Sequence, residues 1–421
     1  MKILATTYAV NPYKGSEDGM GWNFILQIAR FNEVITVTRK NNRENIETYM
    51  KENPSELYKN ITFLYFDLPY WMRFWKRGNK GALIYYYLWQ MTIPLFIKKK
   101  NISFDITHNV NFHNDWTPSF LWGLGKPMVW GPIGHHPYIS PTFLKKYSKK
   151  VQLKNKLTWF TKNLFWKLDP FLMLTKWNAK KIISMNSEVA TKLKGIKHKE
   201  IIMPSVSSEK QTYKTKEKNY FNILSVGRLI PLKGFDLTIQ SFHTFLSTLQ
   251  EEEKKQVTLT IVGSGSHESF YKKLVLDLGL EKSVKFISWI KRENLKKIYQ
   301  NASLFLFPSH EGAGMVVSEA LSFGLPVISL DNCGPGEFIN DTCGIKVEQK
   351  NYSQTVNQLA EGITNLYTNK NTRLKLSQGA IKHFDTNFNW NLKGNKLNDI
   401  YLEVLKTKKS SKTNLFTSLL N

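Results

Sequence analysis

The chain has 421 residues and a mass of 49.0 kDa, more than one ordinary core accommodates, so two domains are expected. Hydrophobic residues at 42% and aromatics at 13% exclude intrinsic disorder. Lys and Arg number 59 against 33 Asp and Glu, and the formal net charge of +26 points to a polyanionic partner, unless codon bias toward lysine is its source.

In chain order, KILATTYA reads as a strand, followed by the loop NPYKGSEDGMG and the helical pattern WNFILQIARF. EVITVTRK, ITFLYFDL, FDITHNV and KPMVWGPIG read as further strands. The apolar run at 82–97 contains Gln90, Thr92 and Pro94 and falls short of the roughly 20 residues that span a bilayer, so it reads as a buried helix. The N-terminus lacks a signal-peptide apolar region, and Cys333 and Cys343 read as reduced thiols, so a cytoplasmic protein is expected. In the second half FNILSVGRL, VTLTIVGSGS, VKFISWI, SLFLFPS and PVISLDN are strands, with helices GFDLTIQSFHTFLSTL and SFYKKLVLDLGL between the first three. Strands alternating with helices indicate βαβ units, hence two doubly wound α/β domains joined by a polar linker at 206–219.

The segment PSHEGAGMVVSEALSFG sets two glutamates among small and apolar residues. A strand ends at Pro308, a loop with Gly312 and Gly314 follows, and a helix begins near Met315. The unpaired N–H groups of a helix start suit an anion such as a diphosphate. Glu311 could then accept from hydroxyls beyond the phosphates, and Glu319, about 6 Å further along the helix axis, from a ribose. Taken alone, the pair could equally be a helix-start charge and a surface residue. Arg228 and Lys233, on the loop SVGRLIPLKGFDL, are suited to clasping phosphate oxygens. Gly263 and Gly265 in TIVGSGS mark a place where backbone must come close to something, by itself a weak signal.

The order GR(x4)KG, VGxG, EGxGMVxxEALSxGLPVI resembles the donor domain of the retaining glycosyltransferases called family 4, over about residues 220–345. That resemblance implies the GT-B fold, two facing Rossmann-like domains with a cleft between them. It implies an N-terminal acceptor-binding domain at 1–205 and a nucleotide-sugar-binding domain at 220–385. Residues 386–421 would then form a C-terminal helix crossing back to the N-terminal domain, and a tail. It also implies that Glu311 contacts the donor sugar, Glu319 the ribose, and Arg228 and Lys233 the diphosphate, together with backbone N–H groups at Gly312, Gly314, Met315 and Val316. Ser288 stands where the family usually has glycine beside the nucleobase, a departure that leaves both uridine and guanosine open.

On the N-terminal side, the loop around Gly15 resembles the family's acceptor-side glycine loop in its GSE…GW subgroup, with backbone near the diphosphate. His108 resembles the family's cleft histidine, with His113 as competitor. VWGPIGHH carries His135 and His136 near the same strand edge. The resemblance implies transfer with retention from a UDP- or GDP-sugar to a glycan or lipid-linked acceptor, as in bacterial cell-surface polysaccharide synthesis. Neither a protein nucleophile nor a cofactor is expected, and no metal, since the chain has no D-x-D pair. The alternatives are a nucleotide-sugar epimerase of the same fold or a noncatalytic anion-binding subunit. A nucleic-acid partner is not expected, because the basic residues form no recognisable module.

Between Lys145 and Lys181 there are eleven lysines and one acidic residue, Asp169. On a helix Leu153, Leu157, Phe160, Leu164 and Leu168 form one stripe, expected to face the core, with Trp159, Lys162 and Trp166 facing outward. That face, with YWMRFWKRGNKG at 70–81, would suit the anionic surface of the cytoplasmic membrane.

Overall fold

The computed structural model describes residues 1–78, 80–111, 114–211, 220–288 and 290–417, without the side chains of Arg292 and 407–417. The chain forms two units. One comprises 1–135, 160–205 and 390–421; the other comprises 136–159 and 206–389.

The first unit is built on a seven-stranded sheet of β1 (Lys2–Thr7), β2 (Glu33–Thr38), β3 (Ile61–Tyr65), β4 (Ile106–Asn111), β5 (Met128–Ile133), β6 (Ala179–Ser184) and β7 (Glu200–Ile202). Their order is β3-β2-β1-β4-β5-β6-β7, and every pairing is parallel. Because side chains alternate across a strand, Ile3 and Ala5 enter one core and Leu4 the other. The first core is covered by α1 (Ser16–Ala29), through Trp22, Phe24, Ile25 and Ile28. The second is covered by α2 (Ala82–Lys100), through Tyr85, Tyr86, Trp89, Ile93 and Ile97. A sheet sheathed on both faces explains why every residue of β4 and β5, and all but the first of β1, is buried. The apolar run at 82–97 is thus a helix, but only half of it is interior: Ile84 and Leu95 are exposed. No described helix is long and apolar enough to cross a membrane.

The chain continues through α3 (Lys149–Leu168) and α4 (Pro170–Asn178), the latter capped by the Asp169 carboxylate, which accepts from the N–H groups of Phe171 and Leu172.

The second unit repeats the design with β8 (Phe221–Val226), β9 (Val257–Val262), β10 (Val284–Ile287), β11 (Leu304–Phe307), β12 (Val327–Leu330) and β13 (Gly344–Val347). Their order is β10-β9-β8-β11-β12-β13, again parallel throughout. The helix α5 (Phe235–Leu246) follows β8, and α6 (Met315–Ser322) follows β11.

Two boundaries differ from the sequence expectation. Residues 136–159, expected in the N-terminal domain, belong to the second unit: Ile139, Phe143, Leu144 and Tyr147 are buried in its core. The Tyr147 hydroxyl donates to the buried carboxylate of Asp236 at 2.6 Å. The C-terminal helix α7 (Trp390–Thr417) joins the first unit from Trp390, through Leu397, Ile400, Tyr401 and Val404. Of the expected linker, 212–219 lie outside the described residues.

Candidate active site

In the second sheet the strand order reverses between β8 and β11, the place where open α/β sheets bind ligands at their carboxyl ends. Arg228 and Lys233 sit on the loop leaving β8, Glu311 on the loop leaving β11. Those loops are stitched together: the His310 N–H donates to the Leu232 carbonyl at 2.9 Å, and the Ser309 hydroxyl to the same oxygen at 3.2 Å. Gly234 ends the first loop at φ 65°, and a Cβ there would lie 2.0 Å from the Pro308 carbonyl oxygen. Only glycine lets the two backbones approach this closely.

The consequence is an ion pair. Lys233 Nζ reaches Glu311 Oε1 at 2.6 Å and Oε2 at 2.5 Å, with both side chains little exposed. The Lys233 ammonium also lies 5.2 Å from the centre of the Phe307 ring. Behind Glu311, the Asn332 side chain donates to the Ser309 carbonyl and accepts from the Gly334 and Gly336 N–H groups. Gly334 is required there, since a Cβ would lie 1.9 Å from the Glu311 carbonyl oxygen. Arg228, in contrast, is exposed and makes no hydrogen bond or ion pair among the described residues. One cation is held in place and one is available.

Gly263 and Gly265 do make a close approach, and it is to the Arg228 loop. A Cβ on Gly263 would lie 1.9 Å from the Gly227 carbonyl oxygen, and one on Gly265 2.5 Å from that of Leu229. The Leu229 N–H donates to Ser264 at 3.0 Å, and the His267 N–H to Leu229 at 3.0 Å. These glycines therefore set the height of Arg228. Ser288 follows β10 and is exposed, its hydroxyl 3.3 Å from Glu268 Oε1.

Gly314 precedes α6, and Met315 and Val316 form its first turn. The Gly312 N–H donates to His136 Nδ1 at 3.1 Å. His136 thus approaches the β11 loop, whereas its neighbour His135 is buried in the first unit against Asp115 at 2.8 Å. The pair of adjacent histidines gave no sign in the sequence that they part. Further along α6, Glu319 Oε2 accepts from the buried Tyr299 hydroxyl at 3.0 Å. Burial, reinforced by Glu319, pushes the Tyr299 phenol well up, so it stays a donor. Tyr299 stacks on Phe323 at 5.2 Å, and this layer, with Ser208 and Leu295, lines a small hollow beside Glu319. Tyr299 lies in an ordinary helical pattern and carried no signal of this role.

In the first unit Gly15 is exposed and caps α1 after the β1 loop. His108 lies within β4, not after it, and is fully buried. Its Nε2 faces the Gly131 carbonyl at 2.6 Å, and its Nδ1 faces the Tyr401 hydroxyl at 2.6 Å. The carbonyl can only accept, so Nε2 carries the proton and Nδ1 accepts from Tyr401. Burial lowers the imidazole pKa to about 4. This is a neutral histidine tying β4 to β5 and α7, with no nitrogen left for a substrate. His113 lies outside the described residues.

The basic helix α3 is turned over relative to expectation. Leu153, Leu157, Phe160, Leu164 and Leu168 are 46–67% exposed. The tryptophans face protein instead: Trp166 donates to the Asp115 carbonyl at 3.2 Å, and Trp159 meets Tyr138 with ring centres 5.4 Å apart. Periodicity finds a stripe but cannot say which stripe is covered; here the wide indoles, each with an N–H to satisfy, form the half-buried side. Tyr70, Trp71 and Phe74 are also exposed.

Residues 207–383 match the family Glycosyl transferases group 1. The matched segment contains Arg228, Lys233, Glu311 and Glu319. The chain is similar to the lipopolysaccharide glucosyltransferase WaaG of Escherichia coli, 31% identical over 166 residues, which is 39% of this chain and 41% of that protein. It therefore spans less than half the length of this relative. A crystal structure of WaaG covers 94% of this chain and 99% of its own at a TM-score of 0.61 and 18% identity. One of Anabaena HepE with UDP and glucose covers 97% and 100%, at a TM-score of 0.61 and 17% identity. At such identity the likeness carries the fold, and it is the two-sheet Rossmann-like fold that the sequence resemblance implied.

Proposed function

We propose that the chain is a retaining glycosyltransferase of the family 4 type, moving a hexose from a UDP- or GDP-sugar to a glycan or lipid-linked acceptor in surface polysaccharide or glycolipid synthesis. The observation that carries this reading is the convergence of Arg228, Lys233 and Glu311 at the β8–β11 switch point, beside the start of α6. A donor diphosphate would lie over Arg228 and Lys233 and the N–H groups of Gly314, Met315 and Val316 at the start of α6, with Gly312 on the loop before it. The sugar hydroxyls would reach Glu311 and the ribose Glu319, which Tyr299 holds in place. The base would lie near Ser288. HepE was crystallised with UDP and glucose, the ligand class proposed here.

In the reaction the bond between the anomeric carbon and the diphosphate oxygen breaks. The acceptor hydroxyl oxygen bonds to that carbon on the same face, and its proton passes to the departing diphosphate oxygen. Charge grows on the diphosphate as the bond opens, and Arg228, Lys233 and the helix start offset it, so no metal is required for that task. The Lys233–Glu311 pair keeps both groups aligned until phosphate and sugar hydroxyls replace each partner for the other. His108 takes no part.

The membrane reading is kept with its face corrected: the exposed stripe of α3 with its lysines, and not the tryptophans, would rest on an anionic bilayer carrying the acceptor.

Thermal shift against UDP, GDP and their sugars, followed by a transfer assay on membrane lipid extract, tests the reaction. Stabilisation by one nucleotide and label transfer from its sugar are expected. Epimerised donor without transfer would replace this reading with the epimerase, and no stabilisation by any nucleotide would remove it.

A further inference from the structure

The amino-terminal ends of β5 and β6 lie opposite the strand ends where α/β sheets bind their ligands. Between the turn preceding β5 and the junction of α4 with β6 is a hollow of about 720 Å³. Lys126, Lys180, Lys181 and Lys199 line it, together with Trp122 and Trp177, and the one carboxylate is that of Glu403. Glu403 pairs with Lys181 at 2.5 Å. Lys199 donates to the carbonyls of Lys176, Trp177 and Ala179 at 2.9, 3.1 and 3.1 Å, closing the end of α4 and using all three ammonium protons. Desolvation lowers its pKa, and the neighbouring charges of Lys180 and Lys176 lower it further. Lys126 and Lys180 are exposed and pair with no carboxylate among the described residues. Trp177, at 72% exposure, leaves a large indole in water at the rim.

A concave wall with four lysines and a single carboxylate, beside two indoles, suits a ligand that is anionic at one end and carries a ring or chain at the other. We propose that this hollow binds a phosphate-bearing ligand, with the phosphate among Lys126, Lys180 and Lys181 and the remainder against Trp177 and Trp122. Two sources share this chemistry: the headgroup of an anionic phospholipid and a soluble phosphosugar. The site belongs to the first unit alone, and it stands or falls independently of the donor grip in the second.

Calorimetric titration of the full chain tests it, with glucose 6-phosphate in one arm and dihexanoyl phosphatidylglycerol, below its micellar concentration, in the other. Lys126→Gln/Lys180→Gln is compared with the control Lys272→Gln/Lys273→Gln in the second unit; all four lysines are exposed, and unchanged melting curves verify the fold. For at least one probe, affinity is expected to fall about tenfold in the first variant alone, and to weaken with added salt. A loss confined to the phosphosugar identifies a soluble ligand; one confined to the phospholipid identifies a headgroup. Unchanged affinity for both probes in the first variant, an equal loss in the control, or no binding to the wild type would overturn the proposal.

Discussion

Lys233 and Glu311, 78 residues apart in the chain, meet at 2.5 Å because the loop leaving β11 donates twice, from His310 and Ser309, to the Leu232 carbonyl on the loop leaving β8. The pair is little exposed, so removing either partner leaves a charge with its hydrogen bonds unmade. Lys233→Ala and Glu311→Ala are each expected to lower kcat/KM about 10²-fold or more, the scale of a lost contact to developing charge. Each is expected to lower stability by about 1–3 kcal/mol. Steady-state kinetics beside urea unfolding separates the two effects. Near-normal turnover in both variants would remove this pair from the site.

Arg228 touches no described partner, so its replacement should affect ligand and not fold. Arg228→Ala is expected to melt at the wild-type temperature while nucleotide affinity falls by about 1.5–3 kcal/mol, the value of a hydrogen bond to a charged group. A drop in melting temperature as large as that of Lys233→Ala would show that the arginine is structural.

Tyr299→Phe tests the support behind Glu319. The phenol donates at 3.0 Å from a fully buried position, and its loss leaves the carboxylate less well aimed. Nucleotide binding should weaken by about 1 kcal/mol, an ordinary hydrogen bond, with kcat nearly unchanged because ribose contacts are made in ground and transition state alike. A fall in kcat with unaltered nucleotide affinity would contradict the ribose role.

Acid should loosen both units. His108 and His310 are buried neutral, each with its pKa lowered from 6.5 to about 4. The unfolded chain therefore binds protons between these values that the folded chain does not, and stability falls as pH drops through that window. From pH 7 to pH 5 each histidine should remove about 2 kcal/mol. Urea midpoints at the two pH values, for wild type and for His108→Gln, measure it; a variant with the same pH slope as wild type would refute the assignment.

The exposed stripe of α3 predicts where a membrane would act. Leu157→Ser/Phe160→Ser/Leu164→Ser should abolish flotation with phosphatidylglycerol vesicles and leave melting unchanged, because these side chains are exposed. Equal flotation of variant and wild type would end the membrane reading.

Much of the second unit was legible in its sequence because parallel strands buried on both faces announce themselves, and because glycines mark strand-end loops. The glutamates stood out as carboxylates in apolar company. The weaker strands β6, β7 and β13 were not legible: β6 begins directly after α4 with two lysines, and β7 has three residues. Nor did the glycines at 263 and 265 say what they approach; a missing Cβ shows that something is near, and a neighbouring loop satisfies it as well as a ligand does. His108 misled because a histidine at a strand end and one inside a strand look alike until the sheet register is known. Tyr299 and His136 act through contacts 20 and 176 residues away, beyond any local pattern.

The chain passes between its units at 135/136, 159/160, 205/206 and 389/390. A fragment cut at the obvious linker would take β8–β13 but lose Phe143, Leu144 and Tyr147, leaving Asp236 without its phenol and a hole in the core of Phe235 and Tyr271. The second unit is thus not encoded by one contiguous stretch of chain. Recombination that exchanges the second unit must therefore carry the stretch 136–159 along, or select compensating residues for it.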